Sequence, residues 1–148
     1  MTESTSLDPD EQNELIQSVG RSLVREMPDD WQSISFTFNS LVGVDTASIL
    51  MSREKGGMEP AMPSMKAMEI MEELRSGMYQ PGKGAWFVAR YELARSGRYS
   101  VDFDYDSEPE FEFPIAPSSY AEDLEYFPRD DQNVPLWLRQ KLDEVQNG

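Results

Sequence analysis

The chain has 148 residues, with 28 acidic side chains against 13 basic ones, and neither His nor Cys. A formal net charge of −15 argues against nucleic acid and membrane surfaces, which attract Lys and Arg, and favours a basic protein partner through steering. Without Cys there is no disulfide, thiolate ligand or Cys nucleophile; without His, the commonest general base and the favoured zinc ligand are missing.

Carboxylates, Ser, Thr, Lys and Tyr remain for chemistry, which weakens any enzyme hypothesis and leaves no cofactor implied. The length suits a single domain with a real core. The apolar runs are too short to cross a bilayer. The polar, acidic residues 1–10 show neither a basic n-region nor an apolar h-region, so the expected location is cytoplasmic.

Residues 1–9 read as a disordered acidic tail and 10–148 as one domain. Asp8-Pro9-Asp10-Glu11 opens a helix over about residues 10–26: an Asp cap, Pro in the first turn, and acids at the positive end of the dipole. Leu15, Val19, Leu23 and Met27 recur every four residues on its apolar stripe, and Pro28 stops it. Ile34, Phe36 and Phe38 alternate with Ser33, Ser35 and Thr37 in a first strand. A turn is expected over 39–43, and Ala47, Ile49 and Met51 mark a second strand ending before Lys55-Gly56-Gly57.

A second helix is expected over residues 63–76, with Met65, Met68, Met71 or Glu72, and Leu74 or Arg75 in its stripe and Gly77 as its stop. Residues 84–106 form a hairpin about Ser96-Gly97. Its second arm puts Tyr99, Val101, Phe103 and Tyr105 on one face and Ser100, Asp102, Asp104 and Asp106 on the other. Ser118 or Ser119, with Glu122 in capping-box spacing from Ser119, starts a short helix through Phe127, and a last helix follows Val134-Pro135. The expected fold is α+β: an antiparallel sheet of about four strands in two hairpins, helices packed on it, and a helical C-terminal tail.

Asp102, Asp104 and Asp106 form a ladder that Glu108, Glu110 and Glu112 continue. Residues 102–131 hold eleven acids and one base, so ten of the fifteen net charges fall in this stretch. It reads either as a strip that docks a basic protein or as a solvated face partly neutralised by Arg90 or Arg98. Straight-strand spacing does not converge the aspartates on one metal ion, so no metal is expected. Seven of the nine Met lie between residues 51 and 78. Helical periodicity explains Met65, Met68 and Met71 as packing, whereas Met58 and Met62 fall in a connecting loop and suit an adaptable binding surface. Trp31, Trp86 and Trp137 read as core or domain-edge residues, Trp137 as an anchor of the last helix. Glu72-Glu73 and Glu122-Asp123 have no nearby basic or apolar environment of the kind that marks an acid/base pair, and Gly82-Lys83-Gly84 is too short for a phosphate loop.

The order of elements, with Met27-Pro-Asp-Asp-Trp31, Met71-Glu-Glu-Leu-Arg75, Trp86 in a strand, Gly97 in a turn and Val101-Asp-Phe-Asp-Tyr-Asp106, resembles the YezG-like antitoxin or immunity proteins over residues 12–106. The segment 120–138 is similar to the tails of actinobacterial immunity-like proteins. The chain departs from the family in its Met- and Pro-rich segment before the second helix. The resemblance implies a small non-enzymatic cytosolic protein that binds and neutralises a cognate toxin, often a secreted nuclease; the acidic hairpin face and the loop after it would then inhibit by occlusion, docking on the toxin's basic groove. On that basis the expected contact residues are Asp102, Asp104, Asp106, Glu108, Glu110 and Glu112, with Phe111 and Phe113 as apolar anchors. The alternative is an adaptor or secretion chaperone that holds an amphipathic segment on the Met-rich region.

Overall fold

A computed structural model describes residues 6–147. Its sheet is antiparallel with five strands in the order β3-β2-β1-β4-β5. These are β1 (Trp31–Leu41), β2 (Val44–Arg53), β3 (Met58–Ala61), β4 (Val88–Ala94) and β5 (Tyr99–Asp104). Helices α1 (Pro9–Arg25) and α2 (Met65–Gly77) pack on one face; α3 (Pro117–Tyr126) and α4 (Leu136–Asn147) follow the sheet in sequence. The α+β class is as expected, with one strand more than the two hairpins.

Side-chain alternation along the strands sorts the two faces. Phe36 faces Ile49 and Tyr91, and Ile34 faces Met51 and Leu93. These apolar residues are buried against Val19 and Leu23 of α1 and Ile70, Met71 and Leu74 of α2. The intervening positions, Ser33, Ser35, Thr37, Ser48, Leu50, Ser52, Arg90, Glu92, Ser100 and Asp102, share the opposite face, which carries neither α1 nor α2. At one end of that opposite face Leu41 and Val88 join Phe87, Tyr120 and Leu138 in a second core under α3 and α4.

Several local expectations need correction. Residues 7–9, expected in a disordered tail, are ordered. Leu7 donates its N–H to Gly77 and packs on the first core, and Asp8 and Glu11 close a reciprocal capping box before Pro9; residues 1–5 lie outside the described set. The turn expected over 39–43 is only Val42-Gly43, because β1 runs to Leu41 opposite Val44. Met58–Ala61 forms an edge strand where a loop was expected; Gly57 and Pro60 hid it, and Pro is tolerated on an edge. Gly77 is the last helical residue of α2 and has no positive φ, so the stop is Met78. At α3, Ala116 rather than Ser118 or Ser119 is the N-cap, with Pro117 in the first turn and no side-chain cap. Asp106 lies past the end of β5, so the expected ladder has two strand rungs rather than three.

Candidate functional site

The acidic segment begins on β5. Asp102 and Asp104 lie opposite Arg90 and Val88 on β4, and both carboxylates reach the Arg90 guanidinium, at 3.3 and 3.4 Å. The ladder is therefore partly neutralised across the hairpin, by Arg90 and not by Arg98. Asp104 also accepts the backbone N–H of Asp106 and of Ser107, at 3.0 and 2.9 Å. Burial opposes its ionisation, but hydrogen bonds from Ser107, Asp106 and Arg90 outweigh it and hold its carboxyl down at about 2. Asp104 is thus occupied in tying the strand end to the loop, while Asp102 remains largely exposed.

From Asp106 the chain leaves the sheet edge and crosses the end of the face opposite α1 and α2. Pro109 is buried, and the Glu110 N–H donates to Asn39 Oδ1 on the central strand at 2.9 Å. Phe111 packs into the second core, its ring 6.3 Å from that of Phe113, which is 51% exposed. These anchors fix the backbone and leave its charges outward. Glu108 reaches Lys141 at 3.7 Å and Asp106 reaches Arg129 at 3.6 Å. The Glu110 and Glu112 carboxylates have no ion-pair partner among the described residues. Of the eight expected contact residues, then, Glu110, Glu112 and Phe113 are the ones presented free on a braced loop. Asp102, Asp106 and Glu108 are exposed but paired; Asp104 and Phe111 build the support.

The support rests on two buried arginines. Arg75 of α2 makes a bidentate pair with Asp123 of α3, at 2.8 and 2.9 Å, and donates through Nε to the Trp86 carbonyl at 2.6 Å. Asp123 also accepts the Val42 N–H of the β1–β2 turn at 2.7 Å. This overturns the reading of Glu122-Asp123 as lacking a basic neighbour: Asp123 is buried on one. Arg129 lies beneath the acidic loop and donates to the carbonyls of Ala85, Tyr105 and Asn133. Burial lowers its pKa, with Asp106 opposing. Both guanidiniums lie against the Phe87 ring, Arg75 at 5.6 Å and Arg129 at 4.8 Å. Gly84, at φ 85°, gives Arg129 its room, since a Cβ there would sit 2.5 Å from its Nε. Trp137 anchors α4 through the Phe87 and Tyr120 rings and an indole N–H to the Asp106 carbonyl at 2.7 Å.

The Met-rich region divides. Met71 is buried and Met68 partly so, as packing requires, but Met65 is 78% exposed, against expectation. Met58, Met62 and Leu50 are exposed as well. Met58 lies opposite Ser52, and Leu50 opposite Pro60, on the same face as the serines.

No helix among the described residues is long and apolar enough to cross a membrane. No group of three or more acidic side chains among them converges as a metal site would. No family model matches the chain, and no curated protein matches it closely enough to count as a relative.

Proposed function

We propose that the protein is a binding inhibitor of the immunity or antitoxin type, which neutralises a basic protein toxin by covering its working surface. The observation that carries this reading is the braced acidic loop. Its backbone is fixed by Pro109, Asn39 and Phe111 while Glu110, Glu112 and Phe113 face solvent. A loop ordered before binding loses less entropy on docking. Unpaired carboxylates around an exposed aromatic ring match the charged rim and aromatic anchor of a tight interface. The likeness to YezG-like proteins in the motifs at residues 27–31 and 101–106 agrees, and cytoplasmic residence follows from such a role.

The test is affinity capture from cells that make the protein, with wild type and a Glu110→Lys, Glu112→Lys double variant as baits. The expected result is a protein with a basic domain, held by wild type and bound at least about tenfold more weakly by the variant. Equal capture by the two baits, or no basic partner at all, removes this reading.

The exposed Met58, Met62 and Met65 of the Met-rich region favour a second reading, an adaptor for an amphipathic helix. Loss of the captured partner on Met62→Lys, Met65→Lys, with the acidic loop variant unaffected, selects that reading instead.

A further inference from the structure

At the far end of the β4–β5 hairpin lies a feature of the opposite character. Helix α1 and the hairpin tip enclose an open groove of about 520 Å³. Gly20, Val24, Tyr91 and Tyr99 form its floor, and Arg21 and Arg25 its rim. The Tyr91 and Tyr99 rings stack with centroids 5.8 Å apart and planes at 6°. Gly20 lets the Tyr91 ring lie close under α1, since a Cβ there would meet the Tyr91 hydroxyl at 2.8 Å. Tyr91 spends its hydroxyl on the Ile16 carbonyl, at 2.8 Å, and Tyr99 on Asn13 Oδ1, at 3.3 Å, so the floor offers ring surface rather than free donors.

Arg25 has no ion-pair partner among the described residues, and Arg21 has only the exposed Glu14. In a chain of net charge −15 this is an exceptional site, an aromatic trough with a cationic rim. Its occupant should carry carboxylates beside a large apolar side chain. Glu110, Glu112 and Phe113 have that chemistry. They cannot reach the groove of their own molecule. The groove lies on the α1 side of the sheet at the hairpin tip, whereas the loop crosses the other side at the hairpin base. Strand β5 alone separates the two ends by about 17 Å, from the five steps of about 3.4 Å between its first and last residues.

We infer that the groove receives the Glu110–Phe113 loop of a second copy of this chain, in a head-to-tail contact. Two molecules this acidic repel one another in most orientations, and the pairing of the loop with the arginine rim is an orientation that brings opposite charges together beside an aromatic floor. Such a contact is heterologous, so it adds copies into rings or open chains instead of closing as a two-fold dimer. A loop held in a neighbour's groove is withheld from any other partner. The contact itself requires only this chain and does not rest on the toxin reading.

Sedimentation velocity of the purified full chain tests it, at an ionic strength of about 0.15 M, where the screening length is about 8 Å. The expected average mass starts at the 16.9 kDa monomer and rises with concentration toward about 1 mM, the weak end of specific association. A groove variant, Arg21→Ser with Arg25→Ser, and a loop variant, Glu110→Gln with Glu112→Gln and Phe113→Ser, should each associate at least about tenfold more weakly. Circular dichroism confirms that both are folded. Mixed together, the two variants retain one intact loop and one intact groove, so they should form 1:1 pairs and nothing larger. A wild type that stays monomeric across the range overturns the inference. So does association that survives either variant, and so does failure of the mixture to pair.

Discussion

The two cores of this molecule are built on different terms. The first lies between α1, α2 and the sheet and is an extensive apolar interior of aliphatic, Met and aromatic side chains. The second, under α3 and α4 at one end of the other face, is small and aromatic, and two buried guanidiniums stiffen it. A large apolar interface tolerates most single changes as losses of area. A small one held by charges stands or fails with each partner, because a buried charge that loses its counterion is costly. The acidic loop hangs on the second core, so its shape depends on the more brittle of the two.

The sharpest break in this comparison is Asp123→Ala. It strands Arg75 and should destabilise the protein by about 3–5 kcal/mol, as much as the costliest truncations in the first core. Urea unfolding measures it. Replacing both partners, Arg75→Met with Asp123→Leu, should return much of that stability. A double variant as poor as the single one would mean that the pair serves geometry and not merely charge neutrality.

A smaller effect is expected where α1 meets the first core. Gly20→Ala drives a methyl into the Tyr91 hydroxyl and should cost about 1–3 kcal/mol by overpacking. Adding Tyr91→Phe removes the clashing atom and should restore thermal stability. No rescue would mean that the helix itself, not its contact, resists the change.

The smallest effect belongs to Asp104. Its carboxyl in the folded state lies at about 2, below the ordinary 3.8. A depressed folded pKa stabilises the protein above about pH 4, and that contribution disappears as pH falls through about 2. Asp104→Asn should therefore cost up to about 2 kcal/mol at neutral pH, with the gap from wild type closing in acid. Unfolding midpoints across pH 2 to about 7 read this directly, and a constant gap would remove the carboxylate from the account.

How much of this was legible depended on whether the physics was periodic or pairwise. The first core was readable because Ile34, Phe36 and Phe38 alternate with a period of two, and Leu15, Val19 and Leu23 repeat every four residues. The hairpin and its turn at Gly97 were readable for the same reason. The second core was not, since its members come from a strand end, a loop and two short helices, and no local period links them. One trace was present: Arg75 lies in the apolar stripe of α2, between Met71 and Met78, where a charge needs a buried partner. Asp123 shows the same misfit three residues after Tyr120. The loop's free carboxylates were legible as charge but not as architecture. Which acids pair across β4–β5 and which stay free depends on where Arg90, Arg129 and Lys141 fall in space.

The long reach of Arg75 also sets a timetable for synthesis. While the chain is made from its N-terminus, all of β1 to β5 is complete before Asp123 exists. Until then Arg75 has no counterion and the Val42 N–H lacks its carboxylate acceptor. Phe87 meanwhile waits for Arg129 and Trp137. A nascent chain arrested before residue 123 should have a sheet with one end open, and native closure there waits for residues 123–137.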